Sequence, residues 1–161
     1  MKRFGGWQTL IIAFIFSFGT ASIGSFLTDL GPWYYALKQP SWKPPDPAFG
    51  VIWSVIFFLL VFSGSLAWTA APTKARKRFV LGLFVVNALV NMSWSALYFG
   101  LHRPDWAMIE WLALWSSVFS LLWFLRRESR WASILIVPYL AWVSAAGVLN
   151  WTTIALNGPF A

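Results

Sequence analysis

Four polar or aromatic residues recur at helical spacing within one strongly apolar stretch: Asn87, Asn91, Trp94 and Tyr98. Intervals of four, three and four residues place them on one face of an α-helix. An amide or a phenol can donate and accept hydrogen bonds, whereas an indole only donates. The face therefore predicts either hydrogen bonds between neighbouring helices or a pocket whose few polar groups orient a mostly apolar ligand.

A second face of the same kind occurs near the end of the chain. Tyr139, Trp142, Ala146 and Asn150 are spaced three, four and four residues apart. Pro138 directly precedes this face and lacks a backbone N–H, so we expect a kink in the helix there. A kinked helix separates locally from its neighbours and leaves room for a ligand.

Two further features lie in apolar segments. Phe49, Trp53 and Phe57 recur every four residues, which is typical of packing but also suits stacking against a ring-shaped ligand. Glu110 is the only acidic residue inside an apolar segment. An intramembrane carboxylate is a candidate functional group, although one near a helix end can also reach interfacial water.

The elements that hold these residues are transmembrane helices. Of the 161 residues, 59% are hydrophobic and 11% charged, against about half and a quarter in soluble domains. The apolar runs are long enough to cross ~30 Å of hydrocarbon, and the first is longer than the core of a signal peptide. We predict one all-α domain over 1–161, a five-helix integral membrane bundle. The predicted spans are 6–27, 48–68, 79–99, 106–125 and 132–149, with an extension of the last span to 156 as an alternative.

The positive charge is unevenly distributed between the two sides of such a bundle. Nine of the twelve basic residues lie in the N-terminal segment and in the second and fourth loops, which share one side. This asymmetry predicts a cytoplasmic N-terminus and a C-terminus on the opposite side. The basic clusters are expected to contact anionic lipid head groups, and nucleic acid is not an expected partner.

Most conventional catalytic and metal sites are excluded by composition. The chain has no cysteine, and His102 is its single histidine. Neither a Ser-His-Asp set nor a glycine-rich phosphate loop can be assembled. We therefore assign no catalytic residue and no metal ligand.

The longest polar stretch, "LKQPSWKPPDPAFGVIW", separates the first two spans. Its prolines at 40, 44, 45 and 47 restrict the backbone, which lowers the entropy lost when the loop folds over the membrane end. Trp33, Tyr34 and Trp42 supply an apolar underside. The loop is predicted to be a lid over a pocket, with a plain rigid connector as the alternative.

Several motifs are similar to those of one known family. "WYYALKQPSWKPP" at 33–45 resembles the first-loop signature of the TspO/MBR family, the tryptophan-rich sensory proteins. Its animal members are the translocator proteins, or peripheral-type benzodiazepine receptors. The similarity continues in order through four of the five spans. The matching segments are "FGVIW" at 49–53, "NALVNMSWSALYFG" at 87–100, "WAMIE" at 106–110 and "PYLAWVSAAGVLN" at 138–150.

This resemblance implies a five-helix bundle, commonly dimeric, with a pocket beneath the first loop. Such pockets accept porphyrins, benzodiazepine-type drugs and, in animal members, cholesterol. The ligand-binding residues carried over from the family are Tyr34, Pro44, Trp53, Phe57, Asn87, Asn91, Trp106, Glu110, Trp142 and Ala146.

The implied function is that of a membrane receptor or sensor for porphyrins and related hydrophobic ligands, with no obligatory cofactor. Two alternatives stay open. In one, the protein degrades porphyrin in light and oxygen, and the resemblance assigns that role to Trp53 and Trp142. In the other, it transports tetrapyrroles or lipids. The expected partners are a porphyrin or other hydrophobic small molecule, membrane lipids and a second copy of the chain.

The sequence departs from the family pattern at several positions. Asn87 stands in place of the usual glutamine, and Phe57 in place of a tyrosine. Lys38-Gln39-Pro40 replaces the usual Gln/Asn-Lys-Pro order, which moves a cation by one residue. Trp151 replaces the tyrosine of the cholesterol-recognition pattern, and no basic residue follows it. Cholesterol binding is therefore not carried over.

Overall fold

The computed structural model describes residues 6–160, so the predicted role of Lys2 and Arg3 in membrane topology lies outside the described residues. All secondary-structure elements of the described residues are helices. These are α1 (Gly6–Leu27), α2 (Pro32–Ala36), α3 (Asp46–Ala70), α4 (Lys74–Ser95), a π-helical turn (Ala96–Gly100), α5 (Pro104–Leu125), α6 (Arg130–Ile134) and α7 (Val137–Asn157).

Five helical segments are long and apolar enough to cross a membrane, which confirms the predicted all-α, multi-pass membrane fold. Most helices begin before the predicted spans. The predicted spans follow the apolar runs, whereas the first turns of these helices are polar. α3 and α5 each have proline in the first turn, where a missing N–H costs nothing. α4 begins earlier than predicted because the Thr73 hydroxyl accepts a hydrogen bond from the backbone N–H of Arg76 at 3.2 Å and caps the helix.

The last span is interrupted, as the proline predicted. α6 ends at Ile134, α7 begins at Val137, and Pro138 lies in the first turn of α7. The break brings α6 against α3, where the buried Ser63 hydroxyl donates a 2.7 Å hydrogen bond to the carbonyl of Ala132. The short α6 thus fixes one end of the bundle and allows α7 a separate direction.

Packing among the helices is uneven along the bundle. α1 packs closely on α3, α4 on α5, and α5 on α7, whereas α3 and α7 are not among the closely packed pairs of the described chain. α5 and α7 approach closely because Gly147 lies directly against the indole of Trp111. The indole Nε1 donates a 2.8 Å hydrogen bond to the carbonyl of Val143 one turn away. The separation of α3 from α7 leaves a space between them.

The first loop lies over this space and is fastened to two distant parts of the chain. The Asn157 side chain, at the end of α7, bonds both backbone groups of Lys38, at 2.8 Å to its N–H and 2.9 Å to its carbonyl. Trp33 of α2 stacks on His102, which follows the π-helical turn, with ring centroids 4.2 Å apart. The loop is therefore placed by contacts as well as by its prolines.

Candidate functional site

A cavity of about 850 Å³ lies between the long helices and beneath the first loop. Its volume is in the range typical of small-molecule sites, about 300–1,000 Å³. The wall combines residues of α1, α3, α4, α5 and α7, and the loop contributes Tyr34, Gln39 and Lys43. The cavity thus occupies the space where α3 and α7 diverge.

Six of the ten ligand-binding residues predicted from the sequence line this cavity. They are Tyr34, Trp53, Phe57, Asn91, Trp142 and Ala146. They come from the loop and from three helices, so residues far apart in the chain meet in one wall. The structure does not bring the other four, Pro44, Asn87, Trp106 and Glu110, into that wall.

Each of these four has a different environment. Asn87 Nδ2 turns to α5 and donates a 2.9 Å hydrogen bond to Ser117 Oγ. Glu110 Oε1 lies 3.0 Å from Ser93 Oγ, between α5 and α4. Trp106 is 47% exposed, with the guanidinium of Arg103 over its ring. Pro44 is half-buried within the loop.

The aromatic residues form a continuous surface at the α3–α7 side. Phe49 and Trp142 are in edge contact with centroids 5.5 Å apart, and Trp53 meets Tyr139 edge-on at 5.9 Å. Trp53 also lies 5.7 Å from Phe57, one turn along α3. Such rings offer both faces and edges to a flat apolar guest.

On the α4 side the ring surface continues through the π-helical turn. Trp94 and Tyr98 stack with centroids 5.0 Å apart, and both line the cavity. A π-helical turn shifts side chains relative to an α-helix and is frequently found at functional sites. No pattern in the sequence distinguishes this turn from the helix before it.

The two asparagines of α4 have both predicted roles: they join neighbouring helices, and one of them also lines the cavity. Asn91 Nδ2 donates a 3.0 Å hydrogen bond to the buried hydroxyl of Tyr139, which joins α4 to α7. Asn91 also contributes to the cavity wall. Asn87, one turn away, has only the joining role.

Several polar atoms in the cavity wall are buried and have no hydrogen-bond partner within the described chain. Three are donors, namely Gln39 Nε2, Trp94 Nε1 and Trp142 Nε1, and one is an acceptor, Asn150 Oδ1. A buried polar group without a partner is costly unless a ligand or water satisfies it. These four atoms are polar groups of the wall that remain available for hydrogen bonds.

A polar cluster closes the mouth of the cavity. Lys43 bonds Asp46, and the Tyr34 hydroxyl donates to Asp46 Oδ1 at 3.1 Å. Burial raises the pKa of the Tyr34 phenol above its ordinary value. Burial lowers the pKa of the Lys43 ammonium, but its hydrogen bonds to Asp46 and Tyr34 outweigh that effect and raise it overall. At neutral pH the cluster is therefore a neutral phenol and an ion pair.

No group of three or more metal-ligating side chains occurs within residues 6–160. The cavity wall contains Asp46 but no histidine, and that aspartate is already bonded by Lys43 and Tyr34. The arrangement suits binding of an aromatic molecule.

The comparisons with known proteins agree with this arrangement. A model of the TspO/MBR family matches residues 10–156. The chain belongs to the TspO/MBR family. The tryptophan-rich protein TspO of Chlorobaculum tepidum is 33% identical over 134 residues, which cover 83% of this chain and 85% of that protein. Protein CrtK of Rhodobacter capsulatus is 33% identical over 153 residues, which cover 92% of this chain and 93% of that protein.

The chain is also similar to an animal translocator protein. The translocator protein of Homo sapiens is 29% identical over 122 residues, which cover 74% of this chain and 71% of that protein. Membership in the TspO/MBR family and the five spanning helices together make this an integral, multi-pass membrane protein.

Most residues of the cavity wall are not among the predicted ligand-binding residues, and Gln39 and Trp111 illustrate why. Gln39 lies in the first loop, where the sequence led us to expect aromatic side chains, and not this amide, to face the cavity. Trp111 lies one residue after Glu110, and its position depends on the space left by Gly147 on another helix. A tryptophan facing a glycine across two helices is a feature of packing that a single sequence does not reveal.

Proposed function

We propose that the protein is a membrane receptor that binds a porphyrin or a related tetrapyrrole in the cavity beneath the first loop. The observation that carries the proposal is the cavity itself, lined by Trp53, Phe57 and Trp142 and containing unpartnered indole donors. A flat macrocycle buries its faces against rings, and polar groups at its edge can accept from the indoles. Membership in the TspO/MBR family supports the same ligand class.

The test is binding of protoporphyrin IX in the dark to the protein in nanodiscs, followed through the porphyrin absorbance band. The expected result is a saturable spectral shift with one site per chain. Empty nanodiscs of the same lipid are the control for partitioning. A linear response equal to that of the empty nanodiscs would contradict the proposal.

Sensing would follow from the position of the lid. The first loop contributes Tyr34, Gln39 and Lys43 to the cavity wall, so a bound ligand would contact the loop directly. The loop is also bonded to the end of α7 through Asn157. Occupancy can therefore change the order of the loop on the membrane surface, where a partner protein could detect it.

Light-driven degradation of the bound porphyrin is a second candidate, favoured by one observation. Trp53 and Trp142 both line the cavity, and Trp142 Nε1 has no partner within the described residues. The porphyrin would be the photosensitiser, molecular oxygen the oxidant, and the indoles nearby oxidisable groups. Illumination that bleaches protein-bound porphyrin no faster than porphyrin in empty nanodiscs would reject this activity.

We further propose that the N-terminus is cytoplasmic and that two chains form a dimer, as the charge asymmetry and the family resemblance indicate. α1 supports a dimer because Gly19 has no neighbouring atom within 4 Å of the position of a Cβ. Glycines of this kind allow helices to approach closely in a membrane.

Tetrapyrrole transport is the remaining expectation, and proteoliposome flux above leakage is the result that would support it.

A further inference from the structure

One polar side chain of the lid faces the cavity and has no assigned role. Gln39 lines the cavity wall, and its amide nitrogen is buried without a hydrogen-bond partner in the described chain. The amide can donate two hydrogen bonds and accept others. An unpartnered buried donor at a ligand cavity is the kind of group that a ligand oxygen satisfies.

The backbone beside Gln39 is held in place by the end of α7. Asn157 Oδ1 accepts from the N–H of Lys38 at 2.8 Å, and Asn157 Nδ2 donates to the Lys38 carbonyl at 2.9 Å. The same Nδ2 donates to the carbonyl of Thr153 at 2.8 Å, which fixes the Asn157 side chain against its own helix. Both backbone groups of the residue preceding Gln39 are therefore clamped.

We propose that Gln39 is a specificity-determining residue whose amide donates a hydrogen bond to a carbonyl or carboxylate oxygen at the edge of the ligand, and that Asn157 positions it. This inference rests on the proposed function and adds the chemistry at one end of the ligand. The clamp reduces the entropy that the loop would lose when Gln39 binds. Gln39 contacts the ligand, and Asn157 acts only through the Lys38 backbone.

Gln39 recognises an oxygen acceptor, and the acceptor does not need a negative charge. The amide is neutral, and the cation that also lines the cavity, Lys43, is bonded to Asp46. Lys38, which precedes Gln39, is exposed. A ligand that keeps a carbonyl oxygen but loses its negative charge should therefore retain its interaction with Gln39.

Three porphyrins separate these properties. Mesoporphyrin IX has two propionates, its dimethyl ester keeps the carbonyl oxygens without charge, and etioporphyrin III has only alkyl groups on the same ring. Gln39→Met removes the amide and keeps the length of the side chain. We expect Gln39→Met to weaken dark binding of mesoporphyrin IX and of the ester by about threefold to tenfold, the loss of one hydrogen bond. Binding of etioporphyrin III should not change.

The positioning role has its own pair of variants. Asn157→Leu should weaken binding of the ester in the same direction and by a smaller factor, again without an effect on etioporphyrin III. Lys38→Ala is the matched control, since the bonds between Asn157 and Lys38 involve the Lys38 backbone and not its side chain. It should leave binding of the ester unchanged. Thermal unfolding of each variant checks that the bundle is intact.

The outcomes distinguish this inference from the function on which it rests. If all three porphyrins bind the wild-type protein and Gln39→Met weakens them equally or not at all, the inference is overturned while the proposed function stands. If Asn157→Leu weakens etioporphyrin III as much as the ester, the positioning role is overturned. If no porphyrin binds the wild-type protein, the proposed function fails and the role of Gln39 falls with it.

Discussion

Polar residues in the membrane interior divide between joining helices and lining the cavity, and spacing alone does not tell which. Asn87 and Asn91 lie on one face of α4, yet Asn87 bonds Ser117 on α5 while Asn91 bonds Tyr139 on α7. The sequence predicts the shared face correctly. The partner of each amide depends on the angle between helices, which is set by packing that one sequence does not display.

Removal of the Tyr139 hydroxyl should weaken the join between α4 and α7. Tyr139→Phe leaves the buried Asn91 amide without its partner, and we expect a loss of about 0.5–2 kcal/mol in the free energy of unfolding. Denaturation in mixed micelles measures it. Trp151→Phe, on the exposed surface of the same helix, is the control and should be neutral. Equal stability of Tyr139→Phe and wild type would contradict the assigned bond.

The cluster at the cavity mouth predicts a loss of stability at alkaline pH. Burial raises the pKa of Tyr34 above its ordinary value, and for Lys43 the lowering by burial is outweighed by hydrogen bonds to Asp46 and Tyr34, so its pKa is raised as well. Because both values are raised on folding, the stabilisation is complete below the unfolded pKa values and is lost as pH rises through the folded ones.

Thermal unfolding between pH 8 and pH 12 tests this dependence. The wild-type melting temperature should fall above about pH 10. Tyr34→Phe/Lys43→Met removes both groups, so the part of the fall that they cause should disappear. Identical alkaline profiles for the two proteins would show that the cluster does not contribute.

At the scale of elements, the sequence predicts the spans better than their interruptions. Five apolar runs are sufficient to predict five spans, and Pro138 predicts a kink in the last one, where the structure has a break between α6 and α7. The π-helical turn at Ala96–Gly100 and the cavity-facing position of Gln39 are not predictable in this way. Both depend on contacts with other elements, since the local residues are compatible with more than one geometry.

The contact between α5 and α7 predicts a position at which one methyl group is not tolerated. A Cβ at Gly147 would collide with the indole of Trp111, so Gly147→Ala must displace a residue of the cavity wall. We expect a loss of about 1–3 kcal/mol in stability, as for other overpacked sites, and weaker porphyrin binding. Gly82→Ala, on the exposed face of α4, is the matched control because no atom lies within 4 Å of its added Cβ.

A thermal unfolding series and a dark porphyrin titration measure these two effects of Gly147→Ala. The control should match wild type in binding and be equal or slightly higher in stability, because alanine favours the helix. If Gly147→Ala is as stable as Gly82→Ala, the assigned close approach of α5 and α7 is wrong.

At the scale of the whole molecule, charge and hydropathy organise the bundle across the membrane. The turn between α5 and α6 contains Glu128, whose buried side chain accepts from Arg76 Nε at 2.6 Å and so ties this turn to α4. The cavity and its lid lie at the opposite end, with Lys43 and Asp46. The distribution of basic residues in the sequence distinguishes these two ends of the bundle. It does not predict the cavity, whose wall forms only when α3, α4 and α7 are assembled.

The proposed orientation can be tested by labelling single cysteines, since the chain has none of its own. Thr73→Cys lies before α4, at the basic end, and Ser41→Cys lies in the first loop at the other end. In intact cells, a membrane-impermeant maleimide should label Ser41→Cys and should label Thr73→Cys only after permeabilisation. The reverse pattern would contradict a cytoplasmic N-terminus.

The most direct test of the account is a dark titration of the purified protein with protoporphyrin IX, beside the double variant Trp53→Phe/Trp142→Phe. Both tryptophans line the cavity, whereas Trp151 is exposed on the outside of α7 and serves as the control through Trp151→Phe. We predict saturable binding that is at least about tenfold weaker in the double variant, because phenylalanine has a smaller ring and lacks the indole N–H donor, and binding that is unchanged in the control. Equal affinity of all three proteins would contradict the assignment of this cavity as the ligand site.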